Sequence, residues 1–299
     1  MSDYGRPLQF GIFPSPDAGD ADEVLEPVLL ADELGLDLAG IQDHPYQARH
    51  LDAWTLLAVA AARTRRVRLF LDVADLPLRP PAMLAKAAAS LDVLTGGRVE
   101  VGLGAGAFWD GIAAMGGARR TPGEAVAAVE EAVAVCRAMW SGERSVRVEG
   151  RHYGLAGVHP GPAPAHPIGI WLGAIGPRML ALTGRSADGW VPSTPFVPPE
   201  KLADAHARID EAATAAGRDP AQVQRVYNVF GSIDDRSGGF LHGPPAQWVD
   251  ELTGLVVERG MDSFVFGPDG GDPVTQIRRF AEEVAPGVRD AVAEHRGTD

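Results

Sequence analysis

The chain has one cysteine in 299 residues, Cys136, set between Val135 and Arg137 in a helical run. No disulfide framework is possible, and a reducing, cytoplasmic setting is the expectation. No apolar run approaches the roughly 20 residues that span a bilayer. The opening MSDYGRPLQFGIF also lacks the charged-then-apolar order of a secretory signal, so no membrane partner is expected. Basic charge is scarce as well. A formal net charge of −13 argues against nucleic acid, which requires a basic face. Clustered metal ligands are missing: the first strand ends FGIFPSP and offers no His-x-His pair, so no metal is expected.

Apolar content is ample, with 45% hydrophobic residues. The length suits two ordinary domains or one large α/β barrel of about 250 residues. Strand-like runs fall at 8–13, 38–42, 67–73, 99–103, 168–172, 189–192, 222–229 and 263–266. Helix-like runs alternate with them at 21–34, 53–63, 80–94, 122–140, 177–185, 199–216, 245–259 and 273–285. Several helices open on proline and several close near Gly35, Gly96, Gly217 or Gly260, the asymmetry of helix ends. Strands such as RLFLDV are apolar on both faces, as buried parallel strands are. About eight strand–helix units predict a single (β/α)8 TIM barrel over residues 1–299. Residues 145–167 break the alternation. There, VRVEGRHYGL alternates around Gly150, which predicts an inserted β-hairpin, then a proline-rich loop, before the fifth strand.

Four stretches fall where barrels do chemistry, at the C-terminal ends of strands. DVLTGGRVEVGLGAGAFWDG closes the fourth strand with Gly102, Gly104 and Gly106. A dinucleotide fingerprint sits instead between a first strand and its helix, with different spacing. Glycines here serve either the approach of a flat ring or a tight turn. Asp43-His44 follows the second strand. A histidine there can move a proton near neutral pH, and its neighbouring carboxylate can fix the tautomer or raise the pKa; the alternative is a structural loop histidine. LGAIGPRML places Gly173, Ala174, Ile175, Gly176, Pro177 and Arg178 at the head of a helix. Free N–H groups and the helix dipole bind anions there, unless the segment is only a solvated helix start. Phe108 and Trp109 are candidate walls of a substrate pocket. Arg49, Arg79, Arg119 and Arg120 could meet the acidic tail of a cofactor or substrate but read more readily as a solvated face, and Trp54 and Trp190 as core or rim. The loop bearing His159 and His166 reads as a lid or a surface crossing.

The segments LDVLTGGRVEVGLGAG, IWLGAIGPRMLALTGRSADGWVPS, LRPPAMLAKAAASLD and IQDHPYQ resemble the bacterial luciferase-like flavin and deazaflavin oxidoreductases, across nearly the whole chain. The resemblance implies a redox enzyme that transfers hydride, or inserts oxygen, on a small organic substrate, with the cofactor carrying the electronic chemistry. It implies coenzyme F420 or FMN, and the Ala-, Arg- and Gly-rich usage tips the choice toward F420. It makes His44 and Asp43 the catalytic pair, with Asp43 also touching the cofactor. It puts a bulge, often with a non-prolyl cis peptide, at Asp72, Val73 and Ala74 beneath the ring. It puts the cofactor phosphate at 173–178, and implies a homodimer and, for a monooxygenase, a separate flavin reductase. One departure matters. Sugar-phosphate dehydrogenases of the family carry a glutamate after the third glycine, where this chain has Ala107, and the nearest acid is Asp110. The competing reading is a non-catalytic flavin-binding barrel; a metal-dependent hydrolase ranks below both.

Overall fold

The computed structural model describes residues 3–19 and 21–297. Elements follow in the order β1 (Gln9–Ile12), α1 (Ala21–Leu34), β2 (Leu38–Ile41), α2 (Ala53–Arg63), β3 (Arg68–Asp75), α3 (Pro81–Thr95), β4 (Val99–Gly104), α4 (Trp109–Ala114) and α5 (Pro122–Trp140). There follow β5 (Val146–Val148), β6 (Leu155–Val158), β7 (Ile170–Leu172), α6 (Pro177–Ser186), β8 (Gly189–Trp190), α7 (Leu202–Ala215) and β9 (Gln224–Ile233). The chain continues through β10 (His242–Gly243), α8 (Pro245–Val257), β11 (Ser263–Pro268), α9 (Pro273–Arg279) and α10 (Ala285–Arg296).

Strands β1, β2, β3, β4, β7, β8, β9 and β11 are parallel neighbours in that order, and β11 pairs with β1 to close the barrel. Strands β5 and β6 form the antiparallel hairpin expected before the fifth barrel strand. Closure follows from strands that are apolar on both faces. Side chains pointing in pack as Leu38, Phe70, Trp171, Val191, Val226 and Val265, while those pointing out meet the helices. Trp171 lies edge-on to Phe70 with ring centroids 4.8 Å apart. Together these side chains make the floor under the barrel mouth.

Local chemistry sets the helix ends. Asp52 caps α2 by accepting from the Thr55 N–H, and Thr121 with Glu124 forms a reciprocal capping box on α5. Gly96 ends α3 at φ 72°. Two helical segments differ from the periodicity. The run over 273–285 passes through a π-turn at Phe280–Val284 into α10, which the sequence reading stopped short of at Pro286. That proline follows directly on the π-turn, where the Ala285 N–H bonds back to the Phe280 carbonyl, so the helical run continues across it. The short α4 was also unread. Among the described residues, no helix is long and apolar enough to cross a membrane, and no cluster of three or more His, Cys, Asp or Glu is placed to hold a metal.

The proline-rich loop is no lid. His166 Nδ1 lies 2.8 Å from Asp92 Oδ1, whose other oxygen accepts from the Ala165 and His166 N–H groups. Asp92 lies near the end of α3 and Glu100 near the start of β4, so the loop is tied to the end of the barrel away from the mouth. Hydrogen bonding to Glu100 raises the His166 pKa, burial opposes it, and Asp92 adds to the rise. A histidine raised above its unfolded value contributes stability fully below that value, about 6.5, and loses it as pH climbs through the folded pKa. Urea midpoints measured from pH 5.5 to 8 should therefore show the gap between wild type and His166→Gln largest at the acid end. A gap that widened with pH would contradict this arrangement.

Candidate active site

Four strand ends converge on one cavity of about 270 Å³. The β2–α2 connection contributes Asp43, His44 and Tyr46; β3 contributes Val73, Ala74 and Asp75; β4 and its turn contribute Gly104 to Ala107. The β7–α6 turn adds Gly173, Ile175 and Gly176, with Met179 from the first turn of α6. A neighbouring hollow of about 450 Å³ shares Tyr46 and Ala107 and is walled by Phe108, Trp109 and Arg119. A larger hollow of about 500 Å³ between the β1–α1 and β11–α9 connections contains neither His44 nor the α6 head.

The His44 ring is fixed by aromatic packing. It stacks on Tyr46 at 5.4 Å and meets the edge of Phe108 at 5.2 Å. Burial lowers its pKa, His50 lowers it further, and Asp43 acts in the opposite direction. At neutral pH the imidazole is uncharged and able to accept a proton. Asp43 does not orient it by a hydrogen bond. Its carboxylate, buried, accepts from Arg79 Nε at 2.6 Å and Nη2 at 2.7 Å, and from the Asp75 N–H at 2.9 Å. Arg79 also reaches Asp52 Oδ2 at 2.6 Å. This corrects two expectations: Arg79 is not a solvated arginine, and Asp43 acts on His44 only through its field. The bidentate clasp joins the β2 and β3 ends and ties both to the capped head of α2.

The bulge lies where the resemblance implied. The Asp72–Val73 peptide is cis, and the β3–β4 register slips between Leu71 and Ala74. Val73 lines the cavity, whereas Asp72 turns beneath it, and its Oδ1 accepts from Asn228 Nδ2 at 3.1 Å. Burial pushes the Asp72 carboxyl up to about 7. The glycines answer a packing demand of the protein itself. A Cβ on Gly104 would stand 2.7 Å from Val73 Cγ2, and one on Gly173 3.0 Å from the same atom. These glycines make room for the Val73 side chain, which in turn shapes the floor. Gly106, at φ 92°, turns the chain under Pro77 and Trp109.

The α6 head opens into the same cavity. Gly176 is its N-cap, Pro177 follows, and no side chain caps it, unlike α2 and α5. Ala174 is buried below, its carbonyl accepting from Trp190 Nε1 at 2.9 Å, so Trp190 is core and anchors the turn. Unpaired N–H groups, a positive dipole end and close glycine backbone make this an anion seat beside His44. Arg178 and Pro177 stand outside the cavity lining, and among the described residues Arg178 pairs with no acid. Phe108 reaches the His44 ring, so its place at the mouth is direct; Trp109 walls the adjoining hollow.

Sequence reasoning passed over Asp75, Tyr46 and Met179. Asp75 is 5% exposed and lines the cavity, and its Oδ1 has no hydrogen-bond partner. The only trace in the sequence was an acid in the apolar run LDVADLPL.

Residues 7–239 match the luciferase-like monooxygenase family. The chain is 32% identical over 243 residues to an F420-dependent glucose-6-phosphate dehydrogenase of Kineococcus radiotolerans, covering 78% of this chain and 70% of that one. It is 39% identical over 176 residues to the phthiodiolone/phenolphthiodiolone dimycocerosates ketoreductase of Mycobacterium kansasii, covering 58% of this chain and 47% of that one. Its fold superposes on an F420-dependent secondary alcohol dehydrogenase, solved with an F420-acetone adduct, at a TM-score of 0.86 and 21% identity, over 95% of this chain and 100% of that one. The chain belongs to the luciferase-like monooxygenase family.

Proposed function

We propose that this luciferase-like oxidoreductase binds coenzyme F420 in the barrel mouth and transfers hydride between it and an uncharged secondary alcohol or ketone. The observation that carries the reading is the opening of His44 and the uncapped α6 head onto a single cavity. A flat ring beside an imidazole and an anionic tail at a helix head suit that arrangement. When bound, the deazaflavin supplies the hydride acceptor or donor. The protein seats its phosphate on the N–H groups of Gly176, Arg178 and Met179, supports its ring on the Val73 bulge, and holds the substrate oxygen's proton at a nitrogen of the His44 ring. FMN presents the same ring-and-phosphate pattern; relatives named for F420 favour the deazaflavin.

Charge argues for an uncharged substrate. Of the arginines near the mouth, Arg79 is clasped by Asp43 and Asp52, Arg119 by Asp110, and Arg49 by Asp17. Two acids line the cavity, and Ala107 stands where the sugar-phosphate enzymes of the family have glutamate. Among the described residues Arg120 and Arg178 pair with no acid, but neither lines the cavity, whereas Tyr46 and Met179 within it and Phe108 and Trp109 in the adjoining hollow offer apolar walls.

Fluorescence titration with F420 and with FMN, followed by turnover on paired substrates, tests this. F420 should bind, and a neutral apolar secondary alcohol should exceed glucose-6-phosphate in kcat/KM by about tenfold or more. Failure of both cofactors to bind would leave the non-catalytic or unrelated readings. We also infer that residues 1–299 work as one domain, in the cytoplasm, without an accessory reductase if F420 is the cofactor. A homodimer is supported by the exposed apolar side chains Val59 on α2 and Met83, Val93 and Leu94 on α3.

A further inference from the structure

We propose that Asp75 is a second proton-carrying group of the mouth, its carboxyl delivering a proton to the ring held beside His44. This rests on the hydride-transfer reading above.

Three carboxyls lie at or beneath the cavity, and two are already engaged. Asp43 is clasped by Arg79. Asp72 turns under the bulge to Asn228; its Oδ2 is also without a partner, but the residue does not line the cavity. Asp75 lines it from the last residue of β3, paired in register with Gly104. It is more than nine-tenths buried, and one carboxylate oxygen has no partner. A buried carboxylate oxygen without a donor disfavours the charged form, and protonation of the carboxyl relieves it.

The groups facing Asp75 set its proton affinity. Burial raises its pKa most, and the Asp43 carboxylate raises it further. Against these act the Leu78 N–H, then Arg79 from its own connection and Arg120 from the α4–α5 loop; the net position is about 6. Tyr46 packs on the same side, its hydroxyl pushed upward by burial and by Asp75 and Asp43. A ligand that covers the cavity removes the remaining water and drives the carboxyl higher, toward its protonated form.

The chemistry needs two protons handled, not one. In oxidation of a secondary alcohol, the carbinol C–H bond breaks and its electron pair passes as hydride to the ring, so the carbon loses two electrons and the ring gains two. His44 takes the hydroxyl proton as the C=O bond forms. Asp75 gives its proton to the ring, offsetting the negative charge that the hydride brings. Exchange with water then empties His44 and refills Asp75. The reverse sequence reduces a ketone.

Calorimetric titration of oxidised F420 into the full chain at pH 7, in buffers of differing ionisation enthalpy, reads proton uptake directly. Wild type should take up about half a proton or more per site beyond Asp75→Asn, with affinities within about threefold. The variant's kcat should fall by about 10–10²-fold with KM little changed, and the pH–rate limb near the Asp75 pKa should vanish. Equal uptake and an unchanged pH profile would overturn the proposal. Should Asp75→Asn lose binding, Asp75→Thr makes the same comparison: binding without the extra uptake supports the role, and binding with wild-type uptake refutes it. Absence of F420 binding by the wild type itself would instead count against the hydride-transfer reading.

Discussion

Replacing His44 with alanine should lower kcat by about 10²–10⁴-fold while leaving F420 affinity within a few-fold of wild type. The imidazole is the one neutral proton acceptor lining the cavity, and its ring is pinned between Tyr46 and Phe108 rather than by a hydrogen bond. Its loss removes the proton step but not the helix head or the bulge, which carry binding. The pH dependence has a definite sign. Burial depresses the His44 pKa, so the neutral base persists below the usual histidine range, and alcohol oxidation should fall only as pH drops through that lowered value. Phe108→Ala should move that limb upward, because removing the aromatic edge returns water to the ring. Steady-state kinetics with a fluorescence titration on the same preparation decides it: turnover within twofold of wild type would remove His44 from the chemistry.

The second large effect is on stability. Arg79→Met should destabilise the fold by about 3–5 kcal/mol, since it strands the buried Asp43 carboxylate with only the Asp75 N–H as donor. Removing the charge as well should restore much of the loss, so Asp43→Asn/Arg79→Met should unfold nearer to wild type than Arg79→Met alone. The single variant should also raise the His44 pKa, because Asp43 would then act on the imidazole without its counter-ion. Urea denaturation of wild type and the two variants tests the stability statements, and an NMR titration of the His44 ring tests the pKa shift. Equal stability of the single and double variants would show that the clasp is not what holds the β2 and β3 ends together.

Much of this site was legible because its signals are local. Pro177 after a glycine run marks a helix head, and an Asp-His pair after an apolar strand marks a barrel loop; neither inference needs long-range contacts. The roles assigned within the site fared unevenly. Gly104 and Gly173 both line the cavity, and a Cβ at either would crowd Val73, a contact that no local pattern announces. Arg79 was read as solvated because its acids, Asp43 and Asp52, lie 36 and 27 residues away. Asp75 escaped notice because a carboxyl in an apolar run carries no local mark of being buried and unpartnered.

Period and punctuation by themselves determined the order of strands and helices, the inserted hairpin and the rim on which the chemistry sits. These depend on side chains a few residues apart and on backbone preferences at glycine and proline. Only the closed barrel decided which acids are clasped, which glycines yield to Val73, that the proline-rich loop is tied at the far end, and that Asp75 faces the cavity. Such facts depend on strand register around the closed sheet. Register is a collective outcome of packing, and no short window of sequence contains it.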